Sequence, residues 1–397
     1  MRDKQKAQGL MRTYMLLGVI YLSFIALGMP DGALGLAWPI IREDMGMPLE
    51  ALSVLTTVAS ISYITISSQN GRLSKYMGTD KKNLLGLSLL VMAYLAFSIA
   101  PNFVVLVIMT IFAGTGAGLI DTGLNDFMSK NFSSRYMNWM HCFWGMGAAI
   151  SPIIMAQMIL IGGWRMGYAA VAGLQGFVAV LVVFTIIKGV WKREESKEEA
   201  SAEGEKAQAE ERRYLSAGKH GFLQMLAFFL LVGAEGSLAL WISSIMIESR
   251  GMTVEAASIF PATFFACIMI GRFAFGFVAD KLSNMSIMRI GMALNAVGVL
   301  VLATTGSVAG MAMAGLGMAP MFPCLLHESS YRFAPSDLSK LVGYQMAAAG
   351  AGGATFALLM GQVLSRVSLE ALYPIVFGLA VGVAGINEVL AWRLRRA

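Results

Sequence analysis

The feature that most constrains this chain is a series of apolar runs, each about 20 residues long, that fill nearly its whole length. A run of about 20 apolar residues is what an α-helix needs to cross the hydrocarbon core of a bilayer. Only 14% of the residues are charged, whereas about a quarter are charged in soluble domains. The sequence therefore predicts an all-α protein that crosses a membrane many times.

Hydropathy predicts twelve membrane-spanning helices. Their approximate ranges are 14–38, 50–69, 84–100, 103–128, 137–161, 166–187, 220–246, 255–278, 286–304, 307–329, 340–364 and 370–392. With the N-terminus in the cytoplasm, Arg272 falls near the inner end of the eighth span, and only four basic residues fall outside. These are Arg42, Arg165, Arg250 and Arg366. This asymmetry predicts both termini in the cytoplasm, and a basic start without a cleavage site indicates a retained first span.

One long polar segment, residues 188–219, divides the predicted spans into two groups of six. It is rich in Glu, Lys and Ala and contains no apolar stripe, which is typical of a solvated linker. The sequence therefore predicts an N-terminal six-helix half at 1–187, a cytoplasmic linker at 188–219 and a C-terminal six-helix half at 220–397.

The two halves carry matching segments. Residues 28–38 read GMPDGALGLAW and residues 233–241 read GAEGSLALW, so an acid followed by Gly and then Trp recurs. The segments that follow, GMPLEA at 46–51 and GMTVEA at 251–256, also match. These repeats predict two pseudo-symmetric halves, an arrangement on which one class of transporter is built.

The repeated acids, Asp31 and Glu235, lie inside predicted spans. A carboxylate at the centre of a membrane helix costs about 3 kcal/mol on insertion scales, so such acids mark ion or substrate sites by default. We therefore expect Asp31 and Glu235 to bind a proton or a solute. The alternative for Asp31 is a bond to backbone groups that Pro30 and Gly32 leave free.

The fourth predicted span carries Asp121 and Asn125, which share a helix face because they are one turn apart. Gly114, Gly116 and Gly118 precede them and permit close approach of a neighbouring helix. Asp121 is the leading candidate for the proton-carrying group, with a permanent bond to a neighbouring helix as the alternative. The next residue, Asp126, is predicted to form a gating or structural ion pair with Lys75 or Lys130.

The fifth predicted span places Asn138, His141 and Trp144 on one face. A histidine can titrate near neutral pH or bind a hydroxyl group, and an indole offers a flat surface to a sugar ring, so this face is expected to line a cavity. The alternative is simple packing between helices. In the second half, Gln345 is predicted to match His141, beside Tyr344. Trp38 and Trp241 are predicted to lie in the interfacial belt of the membrane.

The loop after the second predicted span reads GRLSKYMGTDKK at 71–82, and its second-half copy reads GFVADK at 276–281. Both follow the loop pattern of the major facilitator superfamily, although Lys75 stands where the first copy is expected to have Asp. The chain resembles this superfamily over its whole length. The resemblance implies a gate formed by Arg72, Lys75, Asp280 and Lys281.

Within the superfamily, the segments 116–125 and 137–147 are similar to those of fucose:proton symporter-like transporters. That group places an acid and, four residues later, an Asn on the fourth span, beside an acid on the first. The resemblance implies proton coupling by Asp121, Asp31 and Glu235. The expected solute contacts are Asp31, Asn125, Asn138, His141, Trp144, Glu235, Tyr344 and Gln345.

The expected function is proton-coupled symport of a small polar solute, a monosaccharide by this resemblance, through alternating access. Three rivals remain. The segment GAAISP at 147–152 resembles an antiporter element and, with the abundant Met and Phe, favours efflux of lipophilic compounds. The other two rivals are a facilitative uniporter and a non-transporting binding protein on the same fold.

The sequence contains no nucleotide-binding loop, nucleophile arrangement or metal-ligand cluster, so no enzymatic activity, cofactor or metal is expected. The net charge of +6 comes from basic residues scattered over many loops, a pattern that does not indicate nucleic-acid binding. The chain is expected to work as a monomer in the cytoplasmic membrane of the cell, with protons and a small solute as partners.

Overall fold

The computed structural model describes residues 2–132, 134–191, 214–278 and 282–396. These residues form helices joined by short turns and contain no strand. The first group of helices is α1 (Arg2–Asp44), α2 (Ala51–Ser67), the short α3 (Asn70–Leu73), α4 (Thr79–Ser98), α5 (Phe103–Asn131) and α6 (Ser134–Ile187). The second is α7 (Lys219–Ser244), extended by a π-helix (Ile245–Ser249), α8 (Val254–Val278), α9 (Asn284–Thr305), α10 (Val308–Met318), α11 (Met321–Arg332), α12 (Pro335–Arg366), a 3₁₀ turn (Leu369–Ala371) and α13 (Leu372–Arg396).

The helices run alternately between two faces of a bundle. We call the face with the start of α1 and the described linker ends, 191 and 214, the linker face, and the opposite one the far face. Among the described residues, nine segments are long and apolar enough to cross a membrane. One of them, Trp139–Ile187, contains two helices, and α2 and α4 supply two further passes. The fold is therefore an all-α membrane bundle, consistent with the twelve predicted crossings.

Three helices differ from the predicted spans. Helix α1 runs unbroken through Pro30 and extends well beyond the predicted 14–38. The predicted tenth span, 307–329, is divided into α10 and α11 near Pro320. Helix α6 joins the predicted fifth and sixth spans at Gly162 and Gly163, whose dihedral angles are not helical. Gly163 has φ +76°, a value that residues with a Cβ rarely adopt, so glycine permits the chain to turn back there.

Close helix packing at glycines is repeated in the two halves. A Cβ at Gly147 of α6 would overlap the backbone of Ile25 in α1, and a Cβ at Gly352 of α12 would overlap the backbone of Phe229 in α7. Because glycine has no side chain, the helix backbones approach closely at these points. In a bilayer, lipid removes the hydrophobic driving force between helices, and close packing at small residues drives their association instead. The equivalent contacts show the pseudo-symmetry that the sequence repeats predict.

The two halves touch each other at the far face. The Ser53 hydroxyl of α2 donates a hydrogen bond of 2.7 Å to the Ala357 carbonyl of α12. The Arg42 guanidinium at the end of α1 lies 2.5 Å from the Glu248 carboxylate in the π-helix. A Cβ at Gly35 of α1 would overlap the Leu240 carbonyl of α7. These contacts close the bundle on the far side.

The described part of the chain buries two tryptophans that were predicted at the membrane interface. Trp38 and Trp241 are fully buried, so their predicted place in the interfacial belt is wrong. The Trp38 indole donates to the Leu49 carbonyl at 3.0 Å, which satisfies its only donor. Arg332, at the end of α11, is also fully buried, with its guanidinium bonded to Gln224 and Asn387. Hydropathy measures how apolar a segment is and cannot tell a face that meets lipid from one that meets another helix.

Candidate functional site

A cavity of about 1880 Å³ lies between the two halves. Its walls include Asp31, Asp121 and Glu235 at mid-bundle, and it extends to Asn284 and Tyr331 at the linker-face ends of α9 and α11. The far-face contacts close its other end. The cavity is therefore reached from the linker face, and the three predicted acids meet in it.

Asp31 projects from α1 into the cavity and is exposed there. Its carboxylate accepts a hydrogen bond of 3.2 Å from the Trp144 indole of α6. Gly28 and Gly32 flank Asp31 on α1, and a Cβ at either one would overlap the α6 backbone. These glycines hold α1 and α6 close enough for the Asp31 carboxylate and the Trp144 indole to meet. Gly32, next to Asp31, therefore permits close helix packing and does not break α1.

Asp121 on α5 is held by two side chains. One carboxylate oxygen accepts a hydrogen bond from the Tyr63 hydroxyl of α2, and the other accepts one of 2.8 Å from the Asn125 amide on the next turn. Gly114 and Gly118 bring α5 against α2 and so place Tyr63 within reach. The predicted solute contact Asn125 is thus bonded to Asp121, and it is not among the side chains that line the cavity.

Sequence reasoning missed Tyr63. It lies in the second span, in the stretch ISYITI at 61–66, where the hydroxyl groups of Ser62 and Thr65 bond to backbone carbonyls of their own helix. Because a buried hydroxyl requires a partner, such a tyrosine could have been flagged as a binding partner for an acid. The sequence did not indicate which acid, since that depends on how α2 packs against α5.

Glu235 lines the cavity from α7 and accepts no hydrogen bond from the described residues. The charge that acts on it is that of Arg272 on α8, which also acts on His141 and Cys142 of α6. Arg272, which was predicted near the inner end of its span, lines the central cavity. The described cavity wall therefore carries a cation as well as four acids, because Glu328 of α11 also lines it.

The fifth predicted span contributes His141 and Trp144 to the cavity wall, as their shared helix face predicts. The His141 ring lies edge-on to Phe24 with 5.5 Å between ring centroids, and Trp144 makes a similar contact with Phe265 of α8 at 5.7 Å. Asn138 lies on the same helix, but its side chain is outside the described residues. Aromatic and titratable groups therefore share this wall.

Tyr344 and Gln345 do not line the cavity. Tyr344 is 60% exposed, whereas Gln345 is fully buried and its amide donates to Ser329 at 3.0 Å. The equivalent contacts of Gly147 and Gly352 explain the misplacement. Counted back from these glycines, His141 matches Met346, so the predicted alignment was off by one residue. One residue turns a helix position by about 100°, which is enough to move a side chain from the cavity into the core.

The predicted gate residues show fewer contacts than expected. Arg72 and Lys75 are exposed, and neither forms an ion pair within the described parts of the chain, so the predicted pair between Asp126 and Lys75 does not form here. The side chain of Lys130, the other predicted partner, is outside the described residues, as are Asp280 and Lys281.

A lysine that sequence reasoning missed stabilises the loop after α2. Lys82 of α4 is fully buried, and its ammonium group donates to Asn70 at 2.7 Å and to Ser74 at 2.9 Å. Asn70 in turn donates to the Thr122 carbonyl of α5 at 3.5 Å. A buried ammonium needs such acceptors, and they join the loop to α4 and α5.

The sequence profile described as Major Facilitator Superfamily matches residues 20–327 and 225–397. The chain is similar to the glucose/mannose transporter GlcP of Bacillus subtilis (strain 168), at 23% identity over 378 residues that cover 92% of each protein. Bypass of stop codon protein 6 of Saccharomyces cerevisiae is 23% identical over 279 residues, 66% of this chain, and the chain covers 56% of that protein. Quinolone resistance protein NorA of Staphylococcus aureus is 24% identical over 169 residues, 41% of this chain and 42% of that protein.

Among solved structures, the chain is similar to a bacterial homolog of the human lysosomal transporter Spinster in an inward-facing and unoccupied conformation. The TM-score is 0.73, and the match covers 97% of both chains at 13% sequence identity. At this identity the likeness shows a common fold.

Proposed function

Since the chain belongs to the major facilitator superfamily, we propose that it couples the import of a small polar solute, best matched by a monosaccharide, to the movement of protons. Members of this superfamily are membrane transporters and not enzymes. The observation that carries the proposal is the convergence of Asp31, Asp121 and Glu235, from three different helices, in one cavity between two pseudo-symmetric halves. Carboxylates at this depth in a membrane bundle raise the free energy of the protein unless a proton, a solute or a partner group binds them.

The proton site in this proposal is Asp121. Its carboxylate is oriented by Tyr63 and Asn125, which fix the group but leave it on the cavity wall. A carboxylate that takes up a proton loses its charge, and a cavity with one charged group fewer is less costly to enclose between closed faces. Loading from one side and release to the other then couples proton movement to the change of conformation.

The solute site in this proposal lies between Asp31, Trp144 and His141. The Asp31 carboxylate can accept hydrogen bonds from hydroxyl groups, and the Trp144 indole offers a flat apolar face beside it. The full-length similarity to a glucose/mannose transporter supports a sugar as the solute. A ring with several hydroxyl groups matches this mixture of one carboxylate and aromatic surface.

Alternating access requires the far-face contacts to open while the linker-face end closes. The Ser53 to Ala357 hydrogen bond and the Arg42 to Glu248 ion pair lie on that side and join the two halves. If the termini lie in the cytoplasm, as the distribution of Lys and Arg predicts, the present conformation faces inward. Rocking of the halves then moves the cavity's opening to the outside.

The test is accumulation of a radiolabelled sugar in proteoliposomes under an imposed pH gradient, with a panel of neutral and acidic hexoses. We expect at least one sugar to accumulate above its external concentration when the outside is acidic, and accumulation to stop when a protonophore collapses the gradient. If the internal sugar concentration only reaches the external one, with or without the pH gradient, the protein is a uniporter. Saturable binding with no flux would indicate a binding protein.

A second candidate function is efflux of lipophilic compounds. The cavity wall includes Trp139, Phe273, Phe275 and Phe322, a surface that suits apolar molecules, and part of the chain is similar to a quinolone resistance protein. The same proteoliposomes decide between the two, because an antiporter would expel a hydrophobic dye from the lumen as protons enter and would not accumulate sugar.

A further inference from the structure

Among the described residues, the cavity wall carries one guanidinium group, that of Arg272, and its place is fixed by the packing of α8 against α6. Phe265, Met269 and Arg272 follow one face of α8, since they are spaced by four and three residues. Phe265 contacts the Trp144 ring, and a Cβ at Gly145 would lie 3.2 Å from the Met269 side chain. The same face therefore directs Arg272 to the part of α6 that carries His141.

The bonding of Arg272 differs from that of the other arginines in the bundle. Its Nε atom is buried and has no hydrogen-bond partner among the described residues. Five other arginines each pair with a carboxylate, namely Arg42, Arg165, Arg250, Arg289 and Arg332. A guanidinium has five N–H donors in a planar fork, and burying such donors without acceptors is costly. The cavity thus presents a cation with unused donors.

We propose that Arg272 binds a carboxylate group of the transported solute, which is therefore an acidic monosaccharide or a hydroxy acid of similar size. This inference rests on the proposed function and narrows its substrate class. A planar guanidinium matches a carboxylate with two parallel hydrogen bonds. A monoanion suits the site better than a phosphate dianion, because Arg272 is the one Lys or Arg on the described cavity wall, which also carries four acids, Asp31, Asp121, Glu235 and Glu328.

The groups that face Arg272 give the binding a consistent charge balance. They are Glu235 of α7 and His141 and Cys142 of α6, and the same cavity wall carries Asp31 of α1, Asp121 of α5 and Glu328 of α11, the last of which pairs with Arg332. A solute carboxylate entering without a proton would add a negative charge to a cavity already rich in acids. If the solute carboxylate enters together with one proton that binds to a cavity acid, the net charge of the cavity does not change. Symport of a monoanion with one proton is then electrically silent.

The experiment compares two probes that differ only at C6, D-glucuronate with a carboxylate and D-glucose with a hydroxymethyl group, in proteoliposomes under a pH gradient. For the wild-type protein we expect glucuronate uptake to exceed glucose uptake by roughly tenfold or more, as for a bidentate charged contact. Arg272→Gln should remove this preference. Arg272→Lys keeps the positive charge, so it should retain part of the preference, with a KM for glucuronate higher than that of the wild-type protein. Glucuronate uptake should not change when a potassium diffusion potential is imposed with valinomycin.

The control variant is Arg289→Gln, because Arg289 is exposed on α9 and pairs with Glu388 away from the cavity. It should leave both uptakes unchanged. Size-exclusion profiles and melting temperatures check that the variants fold. If Arg272→Gln does not fold, the uptake measured for Arg272→Lys decides the test. Proton-driven uptake of glucose with no preference for glucuronate, or with no loss of preference in the Arg272 variants, overturns the inference and leaves the proposed function intact. Uptake of neither probe, nor of any sugar in the panel, overturns both.

Discussion

At the scale of single residues, the site is a set of polar groups whose partners come from other helices. Asp31 meets Trp144, and Asp121 meets Tyr63. The sequence predicted the acids because a charge inside an apolar run is visible without a structure. It did not predict that Trp144 and Tyr63 are their partners, because which side chains meet depends on how the helices pack. Gln345 shows the same limit, since a misalignment of one residue placed a buried side chain in the predicted site.

Asp121→Asn is the residue-scale prediction. The amide keeps the shape of the carboxyl group but cannot carry a proton, so accumulation of solute under a pH gradient should fall by roughly tenfold or more. Exchange of labelled for unlabelled solute across the membrane needs no net proton movement and should persist. Asp337→Asn, at an exposed acid in the first turn of α12, is the matched control and should leave both unchanged. Equal loss of accumulation and exchange in Asp121→Asn would argue against a proton-coupling role.

At the scale of helices, glycines fix where α1, α2, α5 and α6 meet, and so they place the acids. The sequence predicted most spans because apolar runs about 20 residues long are a strong signal. It did not predict the division of the tenth span near Pro320 or the continuity of α1 through Pro30. Pro30 and Pro320 each remove one backbone hydrogen bond. Whether the helix then bends, continues or ends depends on how neighbouring helices pack against it.

Gly147→Ala is the element-scale prediction. The added methyl group would overlap the backbone of Ile25, so α1 and α6 must separate and the Asp31 to Trp144 contact must lengthen. Overpacking of this kind costs about 1–3 kcal/mol, and we expect a lower melting temperature in detergent. Gly173→Ala on the same helix is the control, since nothing lies within 4 Å of a Cβ there. A melting temperature for Gly147→Ala as high as that of Gly173→Ala would contradict the close packing.

At the scale of the whole molecule, the bundle is two pseudo-symmetric sets of helices that touch at the far face and enclose a cavity open to the linker face. The repeated acid–Gly…Trp segments revealed this duplication in the sequence. Which face is closed could not be predicted, because the same sequence must support both conformations and their difference lies in contacts between the halves. The ion pair of Arg42 with Glu248 is one such contact.

Arg42→Ala is the prediction at this scale. Partly exposed ion pairs contribute about 0.5 kcal/mol, so we expect the far-face-open population to rise about twofold. Cys142 lines the cavity and reports access when Cys267 and Cys324 are replaced by Ser. A membrane-impermeant maleimide applied at the far face should label it faster in Arg42→Ala. The control is Arg165→Ala, whose partner Asp44 lies in the same half. Labelling that rises equally in both variants would show that the Arg42 pair does not hold the halves together.

The most direct test of the central claim is the proton movement that the solute itself causes. Proteoliposomes with a pH-sensitive dye inside and no imposed gradient are mixed with the sugar that the wild-type protein accumulates. We predict that the lumen acidifies as the sugar enters, and that Asp121→Asn abolishes this change. A lumen that stays at constant pH during sugar entry, or that becomes alkaline, would contradict proton-coupled symport through this cavity.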